Sequence, residues 1–184
     1  VRRDRMEYSR VLNLKDPIMP FPRWSTVLLL SFVLSSPLQA AEPVYTPTEQ
    51  YHRLNLQGWT VLVNPELDQH PKLRSDTLEL LDNHLYRITR KIPQPALNRL
   101  REQRVWVEYQ MPKTKCMCYH VSRHWLEPNG YNPDKEGSIE IGNAQAFLDW
   151  TQSQPWMVLH ELAHGYHHLV LGYEHPGVRG AWEA

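Results

Sequence analysis

His160, Glu161 and His164 are the residues on which chemistry can be built, because on an α-helix they fall within little more than one turn. At 3.6 residues per turn, positions i and i+4 lie about 40° apart around the axis and about 6 Å apart along it. Two imidazoles so placed can share one tetrahedral metal ion. Glu161 projects to the side of that ion, where it can take a proton from an activated water instead of binding the metal. The competing reading makes both histidines ordinary polar positions on an amphipathic helix, with Glu161 merely solvated.

Holding an ion requires the segment to be a helix with one buried side. The spacing predicts a helix over 156–171, with Ser153 as amino-terminal cap, Pro155 suited to the first turn and Gly172 as the stop. Gly165 is the single internal breaker. Trp156, Leu159, Ala163, Tyr166 and Val170 recur at helical spacing and are expected to form the buried stripe beside the histidines. His167 and His168 extend the cluster, but the negative pole at a helix end explains such histidines, so neither is assigned to the metal.

The pattern His-Glu-x-x-His is the zinc metallopeptidase signature, and residues 156–166 resemble the zincin superfamily. The elongated metzincin pattern fails, because His167 and Val170 occupy the positions of its glycine and third histidine. The glutamate-ligand branch, the gluzincins, remains open. Glu183 follows His164 after eighteen intervening residues, a separation similar to the aminopeptidase-type pattern of that branch. Proteins that look like the anthrax lethal factor catalytic domain carry the third ligand on a further helix. The resemblance therefore leaves three alternatives for the third ligand: Glu183, an acid downstream in a longer chain, or none from the protein. Glu174 and His175 are weaker candidates, set in a loop before Pro176.

What the resemblance implies is an α+β, zincin-like single domain with a small mixed sheet and an active-site helix. It also implies zinc as cofactor, His160 and His164 as ligands with Glu183, and Glu161 as catalytic base. The expected activity is hydrolysis of peptide bonds in a peptide or protein substrate. The alternative from another class is an inactive binding or structural module that keeps the fold, alone or as the remnant of a truncated enzyme. The motif is also compatible with hydrolysis of a non-peptide amide.

Composition narrows the setting. Across 184 residues, 20 basic side chains balance 20 acidic ones, so electrostatics point neither to nucleic acid nor to an anionic membrane. Seven tryptophans and nine tyrosines supply bulk for a core, while fifteen prolines predict a loop-rich chain. An apolar run over 26–34 follows Arg23 and precedes small residues and Pro37, as in a secretory signal peptide. Nine residues are too few to span a bilayer, which takes about 20 in a helix. The expected organisation is 1–18 as a long n-region or untranslated, 19–40 as signal peptide cleaved after Ala40, and 41–184 as the domain. The expected location is secreted or periplasmic, with no stable membrane anchor after cleavage.

Further elements must frame the helix. Residues 51–56 and 59–63 read as a hairpin turning at Gln57-Gly58, and a helix capped by Ser75 or Asp76 presents Leu78, Leu81, Leu85 and Ile88. Residues 95–102 form a shorter helix, and 105–109 alternate as a half-buried strand. Residues 111–137 are expected to be a long loop, with Tyr119, His120, Trp125 and Tyr131 either lining a cleft or pinning the loop to the core. Cys116 and Cys118 stand too close in sequence to pair with each other without strain. They could instead pair elsewhere, or join His120 and His124 at a structural zinc. Residues 138–141 read as a strand, and Asn143 caps a helix over 144–150. The zincin resemblance implies that this strand is a sheet edge that pairs with extended substrate. Ile139 and Ile141 are expected to face the core, and the alternative is an ordinary sheet strand with no substrate role.

Overall fold

A computed structural model describes residues 45–184. The signal-peptide reading and its cleavage point lie outside the described residues. Within them the chain runs β1 (His52–Leu56), β2 (Trp59–Val63), α1 (Pro71–Thr89), α2 (Gln94–Arg101), β3 (Val105–Val107) and β4 (Met117–Tyr119). It continues through α3 (Arg123–Leu126), β5 (Ile139–Ile141), α4 (Ala144–Trp150), α5 (Met157–Tyr166) and α6 (Pro176–Glu183). The architecture is α+β around one mixed sheet ordered β1-β2-β3-β5-β4.

The hairpin forms where expected, with Leu56 opposite Trp59. Gln57 and Gly58 both take positive φ, 52° and 93°, the conformation that a two-residue hairpin turn requires. The central strands β2, β3 and β5 are mutually parallel, and the edges β1 and β4 are antiparallel to their neighbours. Central parallel strands are covered on both faces. This corrects the half-buried reading of 105–109: Val105, Trp106 and Val107 are all buried.

Strand alternation sorts the sheet residues into two layers. Val61, Val63, Val105, Val107, Ile139 and Ile141 join Leu81, Leu85, Ile88, Leu97, Leu100, Phe147, Val158 and Leu162 in the main core, beneath α1, α2, α4 and α5. The opposite face carries Leu62 and Trp106 with Tyr51. It also carries Glu108, Glu140 and Cys118, and the connection from β4 to β5 covers it.

Several boundaries differ from the sequence reading. Helix α1 begins at Pro71, four residues before the expected cap, because proline suits the first turn and needs no side-chain cap there. The long loop contains an edge strand, β4, and a short helix, α3. Consequently β5 is not an edge: β4 covers it, pairing Met117 with Ile141 and Tyr119 with Ile139. The expected facing of Ile139 and Ile141 toward the core holds. Asn143 caps α4 as expected, its side chain accepting from the Ala146 N–H at 2.8 Å.

Candidate metal and substrate site

Helix α5 buries Met157, Val158, Leu162 and Gly165. The expected stripe lies on an adjacent face: Trp156 and Val170 are exposed, while Leu159 and Tyr166 only flank the core. The helix is apolar over much of its circumference, so periodicity alone does not fix which side packs. Close packing does. A methyl group on Gly165 would overlap the carboxamide of Gln103, and the Gln103 Nε2–H donates to the Leu162 carbonyl at 3.0 Å. Gly165, read as a breaker, is the point where the helix sits tightly against the end of α2. Ser153 does not cap α5. Its hydroxyl donates to the Trp150 carbonyl, and Trp156 precedes the helix without a capping side chain.

This docking turns His160 and His164 to the exposed side. Their Nε2 atoms stand 3.0 Å apart, with the rings nearly perpendicular and their centroids 4.6 Å apart. Two nitrogens bound to one tetrahedral zinc at about 2.0–2.1 Å would lie about 3.3 Å apart. The pair therefore fits a shared ion with a small adjustment. Glu161 borders a cleft of about 290 Å³ together with His164, Tyr173 and the edge-strand residues Met117, Cys118 and Tyr119.

Beyond Tyr166 the helix widens into a π-helical stretch, His167–Leu171, ended by Gly172 at φ 79°. Here His168 binds side chains of the fold. His168 Nδ1 is 2.9 Å from the Tyr119 hydroxyl, and its ring stacks on Tyr173. Burial, then the neighbouring Tyr173 and Glu136, pushes the Tyr119 phenol up to about 12, so it stays protonated and can donate. The contact ties the end of the histidine helix to the edge strand.

Glu183 lies on α6, with its side chain 59% exposed and 3.8 Å from the Arg179 guanidinium. Among the described residues, the group of three potential ligands whose donor atoms all approach within 4.8 Å is Cys118, His120 and Glu140. The structure thus brings His160 and His164 together but does not add Glu183 to them. Glu174 pairs with Arg179 at 2.6 Å.

The Cys118, His120 and Glu140 group belongs to a buried ion network. His120 Nε2 is 2.7 Å from Glu140 Oε2, and the Lys135 ammonium contacts both Glu140 and, at 2.7 Å, Glu108. Tyr51 O–H and Asn64 Nδ2–H donate to the two Glu108 oxygens at 2.7 and 2.5 Å. Burial raises the Glu140 pKa, but the His120 hydrogen bond and the Lys135 charge outweigh it and hold the carboxyl below its ordinary value. Burial pushes the Cys118 thiol up to about 12, with the Glu140 charge adding to it. The same His120 nitrogen faces both Cys118 and Glu140, so the imidazole cannot relay between them as a catalytic triad histidine does. A protonated thiol and an ammonium on the same carboxylate describe a hydrogen-bonded ion network that clamps β4 to β5. Both cysteines are free, and His124 is exposed and outside the network.

Sequence reasoning missed Glu108, Lys135 and Glu140. Their signal was an acid within the apolar strand Ile139-Glu140-Ile141, a position where an unpaired charge would be costly. No protein-family model, curated protein or solved structure matches the chain.

Proposed function

We propose that this protein is an exported zinc-dependent metallopeptidase of zincin type, with His160 and His164 as ligands and Glu161 as general base. The observation that carries the reading is the geometry of α5 against β4. The two imidazoles approach to 3.0 Å on the exposed side of the helix, and Glu161 and His164 border a cleft along an unpaired strand edge.

When bound, zinc would supply Lewis acidity toward water and toward the carbonyl of the scissile bond. The remaining work falls to the chain. Glu161 accepts the proton of the attacking water and returns it to the departing amine. Edge strand β4 orients the substrate by main-chain hydrogen bonds. Cys116 accepts at its carbonyl from Gly142 and His120 donates its N–H to Ser138, so alternate residues of this strand face β5. The N–H and C=O groups of Met117 and Tyr119 therefore face the free edge, where an extended peptide can pair. The ion network behind Cys118 clamps that edge to β5.

Glu161→Gln tests the assignment. The variant is expected to bind zinc as the parent does and to lose about 10²–10⁴-fold in peptide turnover. Equal turnover by the variant would remove Glu161 from the mechanism. The separation of Glu183 from the two imidazoles favours a second reading, a catalytically inactive module of the same fold. Zinc content separates the readings: folded protein that retains no zinc supports the inactive module, and zinc that is lost on replacing His160 or His164 supports the enzyme.

A further inference from the structure

Edge strand β4 separates two recesses. On its α5 side lies the cleft bordered by Glu161 and His164. On its other side lies a larger cavity of about 580 Å³, walled by Trp125, Leu126 and Tyr131. Met117, Cys118, Tyr119 and Val121 border both. The strand is thus the common rim of a reaction cleft and of a second, roomier space.

A peptide laid along this edge cannot use one recess without addressing the other. Side chains of an extended chain alternate between faces. If one residue presents its side chain on the Glu161 side, its sequence neighbours project toward the larger cavity. The chemistry waiting there is mainly aromatic and apolar, with the cations of Lys113 and Lys115 also on its lining, which makes a Glu peptide the necessary control. The Trp125 ring lies 5.5 Å from that of Tyr131 at a 35° tilt, and the His120 ring lies 5.4 Å from Tyr131 on the inner side. Tyr131 is fixed by its hydroxyl, 3.1 Å from Thr114 Oγ1. Trp125 is 54% exposed, so much of its ring is uncovered at the mouth. A volume of this size lies in the range of pockets that enclose small ligands, ample for one large side chain.

We propose that this cavity is a side-chain recognition pocket that selects a large aromatic residue of the peptide substrate, next in sequence to the residue facing Glu161. Trp125 and Tyr131 form its walls. The identity of the occupant rests on the peptidase reading, but its binding can be measured without cleavage.

The probe is a set of fluorescein-labelled octapeptides on an alternating Ala/Thr scaffold, with Ala, Glu, Leu, Phe or Trp at one central position. Each is titrated by fluorescence anisotropy into the full chain carrying Glu161→Gln, in equimolar zinc. Phe and Trp peptides are expected to bind at least about tenfold more tightly than the Ala peptide, and Glu no better than Ala; tenfold corresponds to about 1.4 kcal/mol. Adding Trp125→Ala should erase the preference, and Trp125→Phe should restore it. Because Trp125 is largely exposed, its truncation leaves the core intact. Equal binding by all peptides, binding by none, or a preference that survives Trp125→Ala would overturn the proposal. The parent chain is then offered the same peptides. Absence of cleavage with the aromatic preference intact would refute the peptidase reading and leave the pocket standing.

Discussion

Two histidine–carboxylate clusters flank β4, and they differ in burial and in the charges that engage them. In the buried cluster, His120 is engaged by Glu140, Glu140 by Lys135, and Lys135 by Glu108. In the exposed cluster, His160 and His164 contact each other, and Glu161 borders open space among the described residues. A satisfied buried network stabilises a fold, whereas two exposed imidazole nitrogens that approach each other to 3.0 Å, near the spacing of ligands on one ion, are available for a metal. Sequence identity of the residues does not separate these cases. Burial and partner geometry do.

The largest effect that would sharpen this contrast is on stability. Lys135→Met leaves Glu108 and Glu140 buried without their cation and is expected to cost about 3–5 kcal/mol. His160→Ala and His164→Ala, made on an exposed helix face, should change stability by no more than about 0.5 kcal/mol. Urea denaturation of the three metal-free proteins measures the difference. Comparable losses at both clusters would break the distinction.

A second test uses the thiols. Burial pushes Cys116 up to about 11, with the Glu161 charge adding to it, and Cys118 up to about 12. At pH 8 each should carry at least about a hundredfold less thiolate than an ordinary cysteine and react correspondingly slowly with iodoacetamide. Rapid alkylation of Cys118 in folded protein would show that the buried side is open to solvent.

The smallest expected effect is a pH dependence of stability set by buried titratable groups. Glu140 is held below its ordinary 4.5, so its stabilisation is fully present above that value and is lost as pH falls further. Burial lowers the Lys135 pKa, but Glu140 and Glu108 outweigh it and raise it above 10.5. Its stabilisation is therefore present below that value and is lost as pH rises through the folded-state pKa. His84 adds an earlier acid limb: burial, then Arg87, lowers it from 6.5, so stability begins to fall below about that pH as the unfolded chain takes up the proton. Urea midpoints from pH 3 to 8 should show both acid steps, and Glu140→Gln should lower the plateau and flatten the lower step.

Local signals made part of this molecule legible. The Gln57-Gly58 turn, the Asn143 cap and the helical spacing around His160 each depend on a few adjacent residues. Non-local pairing was harder. The three residues of β4 sit within a stretch rich in proline, lysine and asparagine, and only alignment against β5 makes them a strand. That alignment also moves the free edge from β5 to β4, which no local pattern encodes. The apolar circumference of α5 concealed its packed face until Gly165 met Gln103. The motif residues were readable because their chemistry is set by spacing within one helix. Lys135, Glu108 and Glu140 were not, because their pairing depends on three separate segments meeting behind the sheet.

Metal content tests the central claim most directly. The purified full chain, equilibrated with zinc and then passed into metal-free buffer, is expected to retain about one zinc per chain. His160→Ala and His164→Ala should each lose it while keeping the parent's circular dichroism spectrum. A folded parent that emerges without zinc, or a folded double variant that still carries it, would contradict the account.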